Sequence, residues 1–98
     1  MNTRVAITML LCTTAVAQAP PPRDGYIPDE KTAIRVAEAI LFPLYGERQI
    51  KSEEPFHAKL ANGIWTVEGS LPAGYDGGVA SIRIDKKTGS VLSYIHGK

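Results

Sequence analysis

The side chains able to do acid, base or metal chemistry are few in this sequence, and they are widely spaced. Its two histidines are His57 and His96, and its single cysteine is Cys12. No two of these three stand at the spacing of metal ligands, so the sequence contains no recognisable zinc site. No cofactor-binding motif is present either. We therefore expect neither a metal nor a cofactor.

Two pairs that resemble catalytic pairs have simpler structural explanations. His57 falls opposite Glu68 in a predicted hairpin, where a cross-strand pair at the surface accounts for both residues. Glu53 and Glu54 are adjacent in a charged connector, which is typical of a solvated charge run. The sequence therefore predicts no catalytic residues and a protein that is not an enzyme.

Several residues outside the predicted core are better suited to binding a protein than to catalysis. Tyr75 and Asp76 lie in the glycine-rich loop between two predicted hairpins. Arg83, Leu92 and Tyr94 are predicted on the face of the sheet that points away from the helix. Aromatic and Arg side chains with polar surroundings are typical of interface hot spots. We expect these five residues to form a partner-binding surface.

Length and charge limit the class of protein. The chain has 98 residues, with 11 Lys and Arg against 10 Asp and Glu. This length suits one small domain and is too short for a dinucleotide-binding unit or a barrel enzyme. The small net charge predicts neither nucleic-acid binding nor a basic patch for a membrane surface.

Residues 1–17 have the pattern of a secretory signal peptide. A short basic start ending at Arg4 precedes an apolar run that is shorter than the roughly 20 residues of a membrane span. Small residues at Ala15 and Ala17 predict cleavage after Ala17, and hence a periplasmic or secreted protein without stable membrane insertion. Lipid attachment at Cys12 is not expected, because Leu11 stands where a small residue is needed.

The mature chain is predicted to begin with a proline-rich linker over residues 18–25, followed by one domain over residues 26–98. Three consecutive prolines favour an extended segment and exclude a helix start. If Cys12 leaves with the signal peptide, the mature chain has no cysteine. The domain must then be stable without a disulfide.

A helix is predicted to begin after Asp29, whose side chain can accept from free N–H groups of the first turn. Pro43 is expected to kink or end its last turn, and Gly46 to terminate it. Apolar residues recur at spacings of three and four and form one stripe that needs a sheet to cover it: Ala33, Val36, Ala37, Ile40, Leu41 and Leu44.

The dipeptide Asn62-Gly63 predicts a hairpin with a type I′ turn. Placing Ala61 opposite Ile64 sets the register of its two strands. One face is then polar, with His57, Lys59, Thr66 and Glu68. The other faces the core and carries Phe56, Ala58, Leu60, Trp65, Val67 and Gly69.

A second hairpin is predicted from residues 79–85 and 90–95, with Asp85 opposite Ser90. This register puts Ala80, Ile82, Ile84, Val91 and Ile95 on the core face, and Ser81, Arg83, Leu92 and Tyr94 on the free face. The predicted fold class is α+β, with one N-terminal helix packed on a four-stranded antiparallel meander, as in a minimal cystatin-like domain.

Several segments of the chain resemble the NTF2 fold immunity proteins of bacterial polymorphic toxin systems. They are residues 25–29, 32–33, 37–40, 43–46, 55–60, 65–69, 77–80, 84–89 and 96–97. The resemblance implies a minimal version of the NTF2-like fold. The resemblance implies a small non-enzymatic antidote that binds a cognate toxin protein and blocks it. Together with the predicted export, it implies a toxin that acts in the cell envelope.

Two other classes of protein remain open at this stage. Residues 79–92 also resemble the strand-turn-strand end of PepSY domains, which implies an exported module that binds or inhibits a peptidase. A small hydrolase or isomerase on a cystatin-like scaffold has the right shape but lacks a candidate acid–base pair. A deep polar pocket would favour the hydrolase or isomerase, and a filled interface between sheet and helix would favour the binding proteins.

Overall fold

The structure, a computed structural model, describes residues 19–97. The predicted signal peptide and Cys12 lie outside these residues. The element order is α1 (Glu30–Tyr45), α2 (Glu47–Lys51), β1 (His57–Ala61), β2 (Ile64–Glu68), β3 (Ala80–Asp85) and β4 (Val91–His96). All neighbouring strands are antiparallel, in the order β1-β2-β3-β4. This confirms the predicted α+β fold, with α1 packed on a four-stranded antiparallel meander.

Helix α1 begins and ends where the sequence predicts. The Asp29 side chain accepts from the backbone N–H of Thr32 at 2.8 Å and caps the first turn. Gly46 ends the helix with a φ of 95°, a conformation that favours glycine. The predicted stripe is wrong at its last position, because Tyr45, four residues after the buried Leu41, packs against the core and Leu44 is exposed.

Helix α2 was not predicted. Its residues precede Glu53 and Glu54, in the charged segment that the sequence predicts to be a connector. One residue of this segment, Ile50, is completely buried in the core, and that burial holds the short helix against α1. The segment is therefore part of the packed domain.

The first hairpin has the predicted register, with Ala61 opposite Ile64. Asn62 and Gly63 both have positive φ, of 51° and 74°, as a type I′ turn requires. Trp65 is buried as predicted, and its indole N–H donates to the carbonyl of Ile27 at 2.8 Å. This bond joins the middle of the sheet to the segment that precedes α1.

The second hairpin departs from the predicted register. Its turn is as expected, because the N–H of Asp85 donates to the carbonyl of Ser90 at 2.8 Å and Ile84 lies opposite Val91. Beyond this pair a β-bulge leaves Leu92 without a partner on β3. The pairing of β4 is shifted by one residue from there on.

The bulge reverses the faces of the residues that follow it. Tyr94 lies opposite Ile82 and is on the helix face, so its predicted place on the free face is wrong. Ile95 lies opposite Ser81 and is on the free face, where it is 65% exposed, so its predicted place in the core is also wrong. Arg83 lies on the free face, as predicted.

The chain joins the packed domain at Gly25, directly after the proline-rich segment. The N–H groups of Tyr26 and Ile27 donate to the carbonyls of Lys87 and Lys86 at 3.1 and 3.0 Å. A side chain at Gly25 would meet the Lys86 carbonyl oxygen at 2.4 Å, so only glycine allows this close approach. Within residues 19–97, no helix is long and apolar enough to cross a membrane.

Candidate functional site

Glu53 is the one buried charged residue among those that the structure describes, with 2% of its surface exposed. Its carboxylate accepts from the backbone N–H of Ala80 at 2.7 Å and from the amide of Gln49 at 2.8 Å. The third partner is the Nε2 atom of His96, at 2.7 Å. The prediction that Glu53 belongs to a solvated charge run is therefore wrong. The carboxylate ties α2 to the start of β3 and the end of β4.

His96 uses both of its ring nitrogens within the fold. Nε2 faces the Glu53 carboxylate, and Nδ1 lies 2.8 Å from the carbonyl oxygen of Gly97. Both partners are acceptors, so only the protonated ring, with two N–H donors, satisfies both. The hydrogen bond to Glu53 accordingly raises the pKa of His96, although partial burial opposes the shift. The ring has no nitrogen left to act on a ligand.

The pKa of Glu53 is shifted in the opposite direction. Burial alone raises the pKa of a carboxyl group, and it is the largest single influence here. The hydrogen bonds from Ala80, Gln49 and His96, with the charge of His96, together outweigh it, so the pKa of Glu53 is lowered. The two opposite shifts both favour the form of the pair in which Glu53 is a carboxylate and His96 an imidazolium.

Gly69 makes room for this carboxylate. A side chain at Gly69 would lie 2.8 Å from Glu53 Oε1 and 3.1 Å from the ring of Phe56. The ring of Phe56 thus lies over the bare backbone of Gly69. The N–H of Ser70 also donates to the Glu53 carbonyl at 2.6 Å, which fixes the start of the loop that follows β2.

A cleft of about 330 Å³ opens beside this buried carboxylate, and we call it the Glu53 cleft. Tyr75 and Asp76 form part of its wall, and Tyr75 is 68% exposed. The full lining is Gln49, Ser52, Glu53, Leu71, Pro72, Tyr75, Asp76 and Gly78. The cleft thus combines a fixed polar floor with an exposed aromatic wall, an arrangement suited to holding a protein side chain.

The structure separates the five predicted partner-binding residues. Tyr75 and Asp76 share the Glu53 cleft, as their sequence proximity suggests. Tyr94 lies on the helix face, and Arg83 lies on the opposite face in the third strand. Leu92 is exposed at the bulge. The structure therefore does not bring all five together on one face.

Tyr94 is connected to the Glu53 cleft through aromatic neighbours. Its ring packs edge-on against Tyr45 with the ring centres 6.5 Å apart. Tyr45 in turn lies 5.2 Å from the ring of His96, which contacts Glu53. An aromatic row thus runs from β4 across the end of α1 to the floor of the cleft.

Two other grooves are less suited to a binding role. One groove, of about 400 Å³, is lined mainly by turn residues that include Gly25, Asn62 and Lys86. Their backbone conformations and hydrogen bonds hold the turns of the fold together. Another, of about 340 Å³, is a shallow stretch of the free face that includes His57 and Glu68, the predicted cross-strand pair. Neither has a buried polar group at its base among the described residues.

The chemistry available at the Glu53 cleft is binding by shape and hydrogen bonding. Ser52 donates to the carbonyl of Gln49 at 2.6 Å, so its hydroxyl is already used inside the fold. Within residues 19–97, no three side chains of the types His, Cys, Asp and Glu are grouped to hold a metal ion. The arrangement provides contacts for a partner.

Sequence reasoning missed the importance of Glu53, His96 and Tyr45. Glu53 meets partners 27 and 43 residues away, at Ala80 and His96. No local period or motif signals such a contact, because it depends on how separate elements pack. The nearest sequence signal is Gly69, because the absence of a side chain there leaves space for the Glu53 carboxylate.

Comparison with known proteins gives the class of the chain. The sequence pattern of a family described as NTF2 fold immunity protein matches residues 32–98. A relative is "Uncharacterized protein YbbC" of Escherichia coli strain K12, which is 41% identical over 70 residues. The match covers 70% of this chain and 57% of YbbC, so the chain spans little more than half of that protein's length. No solved structure matches.

The fold and the cleft define a small α+β domain equipped for binding. The family match covers all of the sheet and nearly all of α1, and it includes the Glu53 cleft. The chain belongs to the NTF2 fold immunity protein family. This confirms the resemblance identified from the sequence.

Proposed function

We propose that this protein is exported and neutralises a toxin that acts in the cell envelope, and that it does so by binding without catalysis. Membership of the NTF2 fold immunity protein family carries the proposal. The secretory pattern of residues 1–17 supports export. In the periplasm or outside the cell, the protein can meet only a toxin that reaches the same compartment.

The toxin contact is centred on Tyr75 and Asp76. Tyr75 is the most exposed of the large apolar and aromatic side chains that the structure describes, and it stands beside a concave surface. Aromatic side chains give much contact area for little loss of conformational freedom, which makes them frequent anchors in interfaces. Asp76 supplies a charged group at the rim of the same cleft.

The rigid floor under the loop supports this role. Glu53 holds the loop's two ends through its contacts with Ser70 and Ala80, at 2.6 and 2.7 Å. A loop with fixed ends loses less freedom on binding than one that is loose throughout. The aromatic row from Tyr45 to Tyr94 extends the surface along the helix face.

Co-expression with a cognate toxin, sought first among the genes adjacent to the one for this protein, tests the proposal. The toxin is directed either to the periplasm or to the cytoplasm, and growth is followed with and without the immunity protein. We expect rescue from the periplasmic toxin by a protein recovered in the periplasmic fraction. Rescue only from the cytoplasmic toxin would contradict export, and absence of rescue in both compartments would contradict the immunity function.

A further inference from the structure

Strand β4 carries a concentration of exposed apolar surface. Val91, Leu92, Tyr94 and Ile95 are between 40% and 65% exposed, although they lie within one strand of six residues. Helix α1 packs mainly on β1, β2 and β3, so it leaves much of β4 uncovered. Apolar groups are therefore exposed on both faces of this strand.

The outer edge of β4 also has free backbone groups. The N–H of Gly97 donates to the carbonyl of Val79 at 3.2 Å, so the backbone of Gly97 faces β3. In an antiparallel pair this orientation alternates along the strand, so the N–H and C=O groups of Tyr94 and His96 face away from β3. Among residues 19–97, no strand pairs with this edge.

The two edges of the sheet differ in their protection. Strand β1 carries Lys59 and is preceded by Pro55, which has no N–H to donate. Charged residues and proline are the usual means by which proteins block pairing at an open edge. Strand β4 contains no Asp, Glu, Lys or Arg, and the ring of its His96 is paired with the Glu53 carboxylate. Its edge is therefore open to another strand that carries no unpaired charge.

We propose that two copies of this chain pair through β4 to form a symmetric dimer with one continuous sheet. The occupant of the edge must present an apolar strand with a free edge and no unpaired charge, and β4 itself is such a strand. Self-pairing brings no like charges together across the edge, and the whole chains are nearly neutral. A two-fold axis is the commonest symmetry of such assemblies.

The free backbone groups set the register of this pairing. With the two-fold axis at Tyr94, each Tyr94 lies opposite its counterpart and exchanges both backbone hydrogen bonds with it. His96 then lies opposite Leu92, and Ser93 lies opposite Ile95. The two α1 helices lie on the same side of the joined sheet. The centre of the toxin contact proposed above, at Tyr75 and Asp76, lies outside β4, and the two proposals share only Tyr94.

The oligomeric state of the purified protein tests this proposal. The variant Ile95→Lys places a charge on the free face of the edge strand without disturbing the core. Leu44→Lys is the matched control, since it makes the same change at an exposed apolar residue on α1. By light scattering we expect twice the chain mass for the unmodified protein and for Leu44→Lys, and the mass of one chain for Ile95→Lys.

Hydrogen exchange locates the contact independently of that variant. The amides of Tyr94 and His96 are expected to exchange more slowly at high protein concentration than at low concentration. A single-chain mass for the unmodified protein, or a dimer that survives Ile95→Lys in a folded state, would overturn the proposal. Protection of these two amides only when the toxin is added would also overturn it and would assign the edge to a toxin strand.

Discussion

Glu53 shows how one residue can join parts of a small domain that are distant in sequence. Its carboxylate connects α2, β3 and β4, and its backbone carbonyl holds the loop at Ser70. Burying a carboxylate destabilises a fold unless the group is fully hydrogen-bonded. Removing one partner therefore leaves a buried group uncompensated and lowers the free energy of unfolding. This residue therefore stabilises both the fold and the cleft.

The variant Glu53→Gln is predicted to lower the free energy of unfolding by about 3 kcal/mol, the lower end for breaking a buried ion pair, because His96 stays partly solvated. The amide nitrogen of the substituted side chain would also point its N–H groups at one of the N–H donors that now bond to the carboxylate. Chemical denaturation measures the loss. Glu54→Gln, at the exposed neighbouring residue, is the control and should change stability by less than about 0.5 kcal/mol. Equal stability of the two variants would contradict the role of Glu53.

The same pair predicts how stability depends on pH. The folded pKa of His96 is raised, so its contribution is complete below its unfolded pKa of about 6.5 and is lost as the pH rises through the folded pKa. The folded pKa of Glu53 is lowered, so its contribution is present above about 4.3 and is lost as the pH falls through the folded pKa. The pair therefore stabilises most in weakly acidic solution.

Thermal unfolding across pH measures this dependence. We expect the Tm of the unmodified protein to fall as the pH is raised from weakly acidic to alkaline. The variant His96→Gln should remove most of that slope, because the titrating ring is gone. A slope that is unchanged in His96→Gln would show that another group causes it.

At the scale of the elements, local signals and packing contributed differently to the fold. Asn62-Gly63 and Asp29 act on their immediate neighbours, so the first hairpin and the start of α1 follow from the sequence. The bulge at Leu92 carries no Gly, Pro or other local mark, and it inverted the faces predicted for Tyr94 and Ile95. One of the five residues of the predicted binding surface, Tyr94, was misplaced for this reason.

The corrected register of β4 predicts an energetic coupling between Tyr45 and Tyr94. An edge-to-face aromatic pair contributes about 0.5–1.5 kcal/mol beyond its buried area. A double-mutant cycle of Tyr45→Ala and Tyr94→Ala should measure a coupling of this size in the free energy of unfolding. The parallel cycle of Tyr45→Ala and Ile95→Ala is the control and should be additive, since Ile95 lies on the other face. Coupling in the control cycle alone would restore the register first predicted.

Trp65 joins β2 to the segment before α1, and its variants measure how much this connection contributes to the free energy of unfolding. Trp65→Ala should cost about 3–5 kcal/mol, the usual range for a large buried aromatic side chain. Trp65→Phe keeps much of the packing and loses the bond to Ile27, so it should cost less. Denaturation of both variants checks the order, and an unchanged Tm for Trp65→Ala would show that the indole is not part of the core.

At the scale of the whole molecule, the domain presents two surfaces with different chemistry. The Glu53 cleft combines polar and aromatic groups beside a loop whose two ends are hydrogen-bonded to Glu53, and it suits a toxin contact. The β4 edge is apolar, carries no unpaired charge and suits a second copy. The family could be identified from short sequence segments, whereas the cleft depends on contacts between residues far apart in the chain.

The proposed export has a direct chemical readout in the first residue of the recovered protein. Cleavage after Ala17 predicts that the protein recovered from the periplasm begins at Gln18. N-terminal sequencing determines this residue. A cytosolic product that begins at Met1 would contradict export and, with it, the proposed envelope toxin.

The most direct test of the central claim is the affinity for the toxin that this protein protects against in co-expression, measured by calorimetry with three proteins. The unmodified protein should bind tightly. Tyr75→Ala should weaken binding by about 2 kcal/mol, the threshold for a hot spot, while its Tm stays the same. Tyr26→Ala, at another exposed tyrosine outside the cleft, should bind as the unmodified protein does. Equal affinities for all three would contradict a toxin contact at Tyr75.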